Sequence, residues 1–232
     1  STVLVEFHPY PTYLISLRLF LAAFQSSNPC NIISFRESKG RRLEKVFDKA
    51  RFRFSSERAM GISYSRTIWP ERLIEHFPDK YQHLFSQITD NHELQNFEYK
   101  GVLLGDLIYD DYLRKNCVET VNFNSSDFKI AFYKSLNLFD KYLCLINEHN
   151  TKAIVISNHV YNFGIIARAA FHLQIPVFCI TGGTIYRLSQ ERPFAFTEYE
   201  DYSKTLDNSG SSEFFLTNSE IRQEMVAKLF PR

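Results

Sequence analysis

Ala153-Ile154-Val155-Ile156-Ser157-Asn158-His159 is followed by Phe163 to Leu173, and then by Pro176-Val177-Phe178-Cys179-Ile180-Thr181-Gly182-Gly183-Thr184. The first and third stretches are continuous apolar runs, as expected of strands buried on both faces, and the middle one has the length and content of a helix. Together they read as a βαβ unit. A right-handed crossover makes the two strands parallel neighbours, so Ser157-Asn158-His159 and Thr181-Gly182-Gly183-Thr184 are expected to open onto one crevice.

The same grammar recurs towards the N-terminus. Val3 to Phe7 is a β-branched run closed by His8-Pro9-Tyr10-Pro11, after which Tyr13 to Phe20 opens a helix. Asn31 to Phe35 is a second apolar run, and Leu43, Val46, Phe47 and Ala50 follow at helical spacing. Between Thr67 and Glu98 the pattern weakens, with short helical stretches around Leu73-Ile74 and Tyr81 to Phe85. Asp106 is placed to cap a helix through Arg114. Phe128, Phe132, Leu136, Phe139, Leu143 and Ile146 keep one apolar face over about five turns. From residue 190 to 216 the chain is a polar loop or linker, and Thr217-x-x-Glu220 is a capping box for a last helix over 217–230. The expectation is an α/β chain with a Rossmann-like three-layer α/β/α sandwich and a mostly parallel sheet, forming one domain over 1–232.

Composition narrows the function. Of 232 residues, 44% are hydrophobic and 23% charged, an ordinary globular balance, and 27 Lys and Arg against 26 Asp and Glu give no global electrostatic footprint for nucleic acid. The longest apolar stretch, Tyr13 to Phe24, is too short to span a bilayer. The start at Ser1, with no initiator Met, basic n-region or A-x-A site, reads as a trimmed chain rather than a secretory precursor. Cys30, Cys117, Cys144 and Cys179 match no CxxC spacing and read as reduced, mostly buried thiols of a cytoplasmic protein. There is no P-loop, GxGxxG, HExxH, GxSxG or EF-hand loop, which removes P-loop NTPases, typical NAD enzymes, zincins and α/β-hydrolases. No metal ligands are expected.

The residues left to carry chemistry sit at strand ends. His8 follows the first strand, where an imidazole suits a general base near neutral pH, although a loop histidine rigidified by prolines satisfies the same sequence. His159 could bind or deprotonate a substrate, or simply bond a helix terminus. His76, His83, His92, His149 and His172 read as surface residues. Only 8 residues are glycine, so the Gly182-Gly183 pair between Thr181 and Thr184 reads either as a donor-rich cradle for a sugar or phosphate or as a tight turn. Asp106, Asp110, Asp111 and Arg114 form a charge constellation in which Asp110 and Arg114, at i and i+4, could be a surface pair. Residues 36–58 carry nine Lys or Arg against four acids, which suits either a solvated helix or contact with anionic lipid.

Gly105-Asp106-Leu107-Ile108-Tyr109-Asp110-Asp111-Tyr112-Leu113-Arg114, then Ala153 to Tyr161 and the helix Gly164 to Ala170, resembles bacterial surface-polysaccharide glycosyltransferases of GT-B architecture. The likeness is to the N-terminal half of capsule or lipopolysaccharide biosynthesis proteins. It implies an acceptor-side Rossmann-like half, a second such half beyond Arg232 for the nucleotide-sugar donor, and no cofactor other than that co-substrate. It further implies that His8 is the base and Asp106 its alternative. Tyr10, Arg114, Asn158, His159 and Tyr161 would contact the acceptor, and Gly182, Gly183 and Thr184 would border the donor phosphates. The partners are then a nucleotide sugar and a glycan or lipid-linked acceptor, with residues 36–58 touching the inner face of the cytoplasmic membrane. The competing readings are a non-catalytic glycan-binding domain and a nucleotide-sugar epimerase-like enzyme.

Overall fold

The computed structural model describes residues 1–8, 10–27, 29–37, 61–68, 79–181 and 184–191. The chain divides into two units, Ser1–Ala195 and Phe196–Arg232. The helix expected around Leu43 to Ala50, the basic stretch over 38–58, Leu73-Ile74, His76, most of the 190–216 linker and the 217–230 helix lie outside the described residues.

Six strands make one sheet. In chain order β1 is Thr2–Glu6, β2 Asn31–Glu37, β3 Tyr64–Ile68, β6 Thr151–Ile156, β7 Val177–Thr181 and β8 Thr184–Leu188, and their spatial order is β3-β2-β1-β6-β7-β8. Two short strands, β4 (Glu98–Tyr99) and β5 (Val102–Leu103), form a separate antiparallel hairpin. Every pair in the main sheet is parallel except β7–β8. The fold is therefore α/β and Rossmann-like, a mostly parallel sheet flanked by helices, and β6 and β7 are the parallel neighbours expected.

Strand alternation assigns the two faces. Val3 and Val5 of β1, with Ala153 and Val155 of β6, pack with Tyr13, Leu17 and Leu21 of α1 (Pro11–Ser27). Leu4, Ile154 and Ile156 point the other way, into a larger core with α4 (Gly105–Asn116), α5 (Ser126–Glu148) and α6 (Ile165–His172). Helices α2 (Asp79–Ser86) and α3 (Asn91–Gln95) add Tyr81 and Leu94 to that second core. The apolar face anticipated from Phe128 to Ile146 is real: Phe128, Phe132, Leu136 and Phe139 are 0% exposed. Ser125 caps that helix by accepting the Phe128 amide.

Three local expectations need correction. Asp106 is not an N-cap; α4 already begins at Gly105, with Leu104 in the cap position and no side-chain cap bond. The start is fixed by packing, because a Cβ on Gly105 would run into the Leu94 backbone carbonyl. The helix expected from Phe163 begins instead as a 3₁₀ turn, Tyr161–Gly164, before α6. Of the cysteines, all unpaired, only Cys179 is buried; Cys30 is partly exposed and Cys117 and Cys144 are exposed.

Candidate functional site

The chain from β1 runs through α1 to β2 on one side, while β6 lies on the other and continues through α6 to β7. The strand order thus reverses between β1 and β6, and the crevice beyond their carboxyl ends is where open α/β sheets take ligands. A cleft of about 250 Å³ occupies that position, lined by Glu6, His8, Tyr10, Thr12, Tyr13, Ser157, Asn158, Phe163, Ile180 and Thr181.

The cleft forms because the two ladders of β1 end at different points. Towards β2 the pairing continues past Glu6, with the Phe7 amide donating to the Phe35 carbonyl at 2.9 Å. Towards β6 the register stops at Val5 opposite Val155. Glu6 then takes over with its side chain: Oε2 accepts the Ser157 amide at 2.6 Å and the Ser157 hydroxyl at 2.7 Å. The Tyr13 hydroxyl donates to the Glu6 carbonyl at 2.6 Å and ties α1 to the same point. Burial pushes the Glu6 carboxyl above its usual range, and the donors at Ser157 and Asn158 only partly offset this. Tyr13 is pushed well above the ordinary phenol range, first by burial and then by the Glu6 charge.

His8 lines the same cleft as Glu6. Its ring stacks on Tyr10 at 4.4 Å and meets Tyr13 edge-on at 6.3 Å. Nδ1 is buried with no hydrogen-bond partner. Burial lowers its pKa, so the imidazole is neutral at pH 7 and able to accept a proton.

Of the ten candidates from the sequence, His8, Tyr10 and Asn158 line the cleft. His159 lies next to it in sequence yet is 3% exposed, with Nδ1 3.3 Å from the buried Cys179 Sγ. Burial holds His159 below its usual pKa and lifts the Cys179 thiol to about 11, so this pair is a neutral core contact. Cys179 also lies 3.5 Å from the Thr181 hydroxyl, which reaches the Ser157 carbonyl at 3.5 Å.

Asp106 does not line the cleft. It pairs with Arg168 of α6 at 2.6 Å and pins α4 to α6, both residues being partly buried. The pair expected between Asp110 and Arg114 is made instead by Asp111, 4% exposed, which accepts Arg114 at 3.1 Å, Lys115 at 2.6 Å and Asn162 Nδ2 at 2.8 Å. The reason is helix phase: Asp111 faces the core and needs partners, whereas Asp110 faces solvent. Arg114 stacks over Tyr161 at 4.5 Å, and Tyr161 holds the left-handed φ of +57° at the head of the 3₁₀ turn. Gly182 and Gly183 lie outside the described residues; the antiparallel partners Thr181 and Thr184 bracket them, and Thr184 is exposed at the head of β8.

Glu6 escaped the sequence reading, because a single acid ending an apolar strand looks like the point where the chain meets water. The stronger signal was Ser157 closing the other apolar strand at the same sheet end. Among the described residues no group of three or more His, Cys, Asp or Glu could hold a metal ion, and no helix is long and apolar enough to cross a membrane. No protein-family model matches the chain, and no curated protein matches it.

Proposed function

We propose that the chain is the acceptor-side half of a GT-B glycosyltransferase that builds a bacterial surface polysaccharide, with His8 as general base. The observation that carries this reading is the cleft at the strand-order reversal, whose lining a neutral His8 shares with Glu6, Ser157, Asn158 and Thr181. Hydroxyl, amide and carboxylate groups beside an aromatic ring are what a sugar requires. Among the described lining residues none is Lys or Arg, which suits an uncharged or cationic acceptor better than a nucleoside diphosphate.

In the proposed reaction, a ring nitrogen of His8 removes the proton from an acceptor hydroxyl as that oxygen bonds to the anomeric carbon. The bond from that carbon to the donor diphosphate breaks, and its electron pair leaves with the nucleoside diphosphate. A second Rossmann-like half supplies the donor site and the groups that stabilise the leaving charge. The protein works at the cytoplasmic face of the membrane, where both nucleotide sugar and lipid-linked acceptor are presented.

The test is ligand-observed NMR against nucleotide sugars and short surface-glycan oligosaccharides, followed by a transfer assay with the donor half present. Oligosaccharide binding without nucleotide binding, and a 10²- to 10⁴-fold loss of transfer in His8→Ala, are expected. Tight nucleotide-sugar binding by this chain would overturn the assignment. Unchanged transfer in His8→Ala would move the base elsewhere, and glycan binding with no transfer under any condition would favour a glycan-binding module.

A further inference from the structure

The charge of the cleft says more about its occupant. Among the described residues that line the cleft, Glu6 is the only acid and none is Lys or Arg. The Ser157 amide and hydroxyl fix the position of the carboxylate, but they are neutral donors, and no described cation in the lining balances its charge. The remaining titratable groups in the lining are His8, Tyr10 and Tyr13. The first is held neutral by burial, and Tyr13 is pushed further from ionising. A carboxylate kept at a ligand cleft without a cation of its own is completed by a cation that arrives with the ligand.

The rings at the cleft agree with this. Tyr10 is 64% exposed and Phe163 40%, two of the four large hydrophobic side chains that the described chain leaves to solvent. Both border the cleft, from the loop after β1 and from the 3₁₀ turn after β6. Aromatic faces attract ammonium groups through the ring quadrupole, and they also stack on the C–H face of a pyranose.

We infer that the cleft selects an acceptor sugar bearing a positively charged amino group, which Glu6 holds while Tyr10 and Phe163 cover the ring. The inference rests on the acceptor-side reading and names the chemical class of that acceptor. An anionic sugar is rejected by the same carboxylate, and an N-acetylated one loses the charge that Glu6 recognises.

The experiment is titration of the protein, by calorimetry or saturation-transfer NMR, with methyl glucosaminide, methyl N-acetylglucosaminide and methyl glucoside, at a pH where the amine is protonated. The glucosaminide is expected to bind about tenfold more tightly than the other two, the preference disappearing in Glu6→Gln. Tyr10→Ala, a change at an exposed position, is expected to weaken all three and keeps the test informative if the Glu6 variant folds poorly. Equal binding of the three sugars, a preference that survives Glu6→Gln, or no binding of the glucosaminide at millimolar concentration overturns the inference. Equal binding with transfer still dependent on His8 leaves the acceptor-side reading standing, whereas binding of nucleotide sugars in place of all three glycosides removes that reading as well.

Discussion

Ser157 gives both its backbone amide and its hydroxyl to one oxygen of Glu6, joining the ends of two strands 151 residues apart in the chain. These two bonds position a carboxylate that no described cation in the cleft lining neutralises. The site is therefore built at some expense of stability, the usual relation between a functional charge and its scaffold.

That expense is measurable. Burial raises the Glu6 pKa in the folded state, so folding favours the protonated acid. Its contribution to stability is fully present below the ordinary carboxylate range and is lost as pH rises through the raised value. Glu6→Gln keeps an acceptor for Ser157 and removes the charge, and the melting temperature at pH 7 is expected to rise by about 3 °C. The gap between variant and parent should close towards pH 4. A variant less stable than the parent at pH 7 contradicts the uncompensated charge.

The histidines act in the opposite sense. His8 and His159 both have pKa values lowered by burial, so the folded state favours their neutral forms. The stability they confer is present above about pH 6.5, the ordinary histidine value, and is lost as pH falls through their lowered values. Thermal denaturation of the parent and of His159→Gln between pH 5 and 7.5 should show a shallower acid decline in the variant. Parallel curves would mean that His159 does not titrate with unfolding.

Gly105 has no room for a side chain. Its Cβ would meet the Leu94 carbonyl and crowd the Phe97 amide, both backbone groups with little freedom to move. Gly105→Ala is expected to destabilise the protein by about 3 kcal/mol, read from urea unfolding at unchanged slope. A loss below 1 kcal/mol would show that the start of α4 can shift.

Asp106 and His8 were both candidate bases, and their surroundings separate them. Asp106 is engaged by Arg168 between α4 and α6, away from the cleft lining. Asp106→Asn removes the charge from the 2.6 Å pair with Arg168, and should lower stability by roughly 1 kcal/mol while saccharide affinity stays within about twofold. Loss of transfer in Asp106→Asn with stability intact would return this residue to the chemistry.

The βαβ unit from Ala153 to Thr181 was legible because burial on both faces leaves an unbroken apolar run, and a helix of eight residues between two such runs has few alternatives. The α5 face was legible for the same reason, since period and burial coincide over about five turns. What could not be read was adjacency. Nothing local tells β1 to pair with both β2 and β6, so the reversal of strand order, and Glu6 with it, stayed hidden. The Asp111 contacts were missed because i and i+4 spacing names possible pairs without saying which acid faces inward. The buried His159–Cys179 contact depends on two strands meeting in register, Ile156 opposite Cys179, which no single-strand pattern encodes.

The position of β1 also sets a timetable. On the ribosome its first edge can find β2 within some thirty residues, but its other edge waits for β6, which follows only after α5. At about 5–20 residues per second, an apolar strand edge stays open for on the order of ten seconds. The nascent N-terminal half is thus exposed to wrong pairing and to chaperones for as long as its last neighbour is still being made, and synonymous changes that slow translation between α4 and β6 should lower soluble yield without altering a single residue.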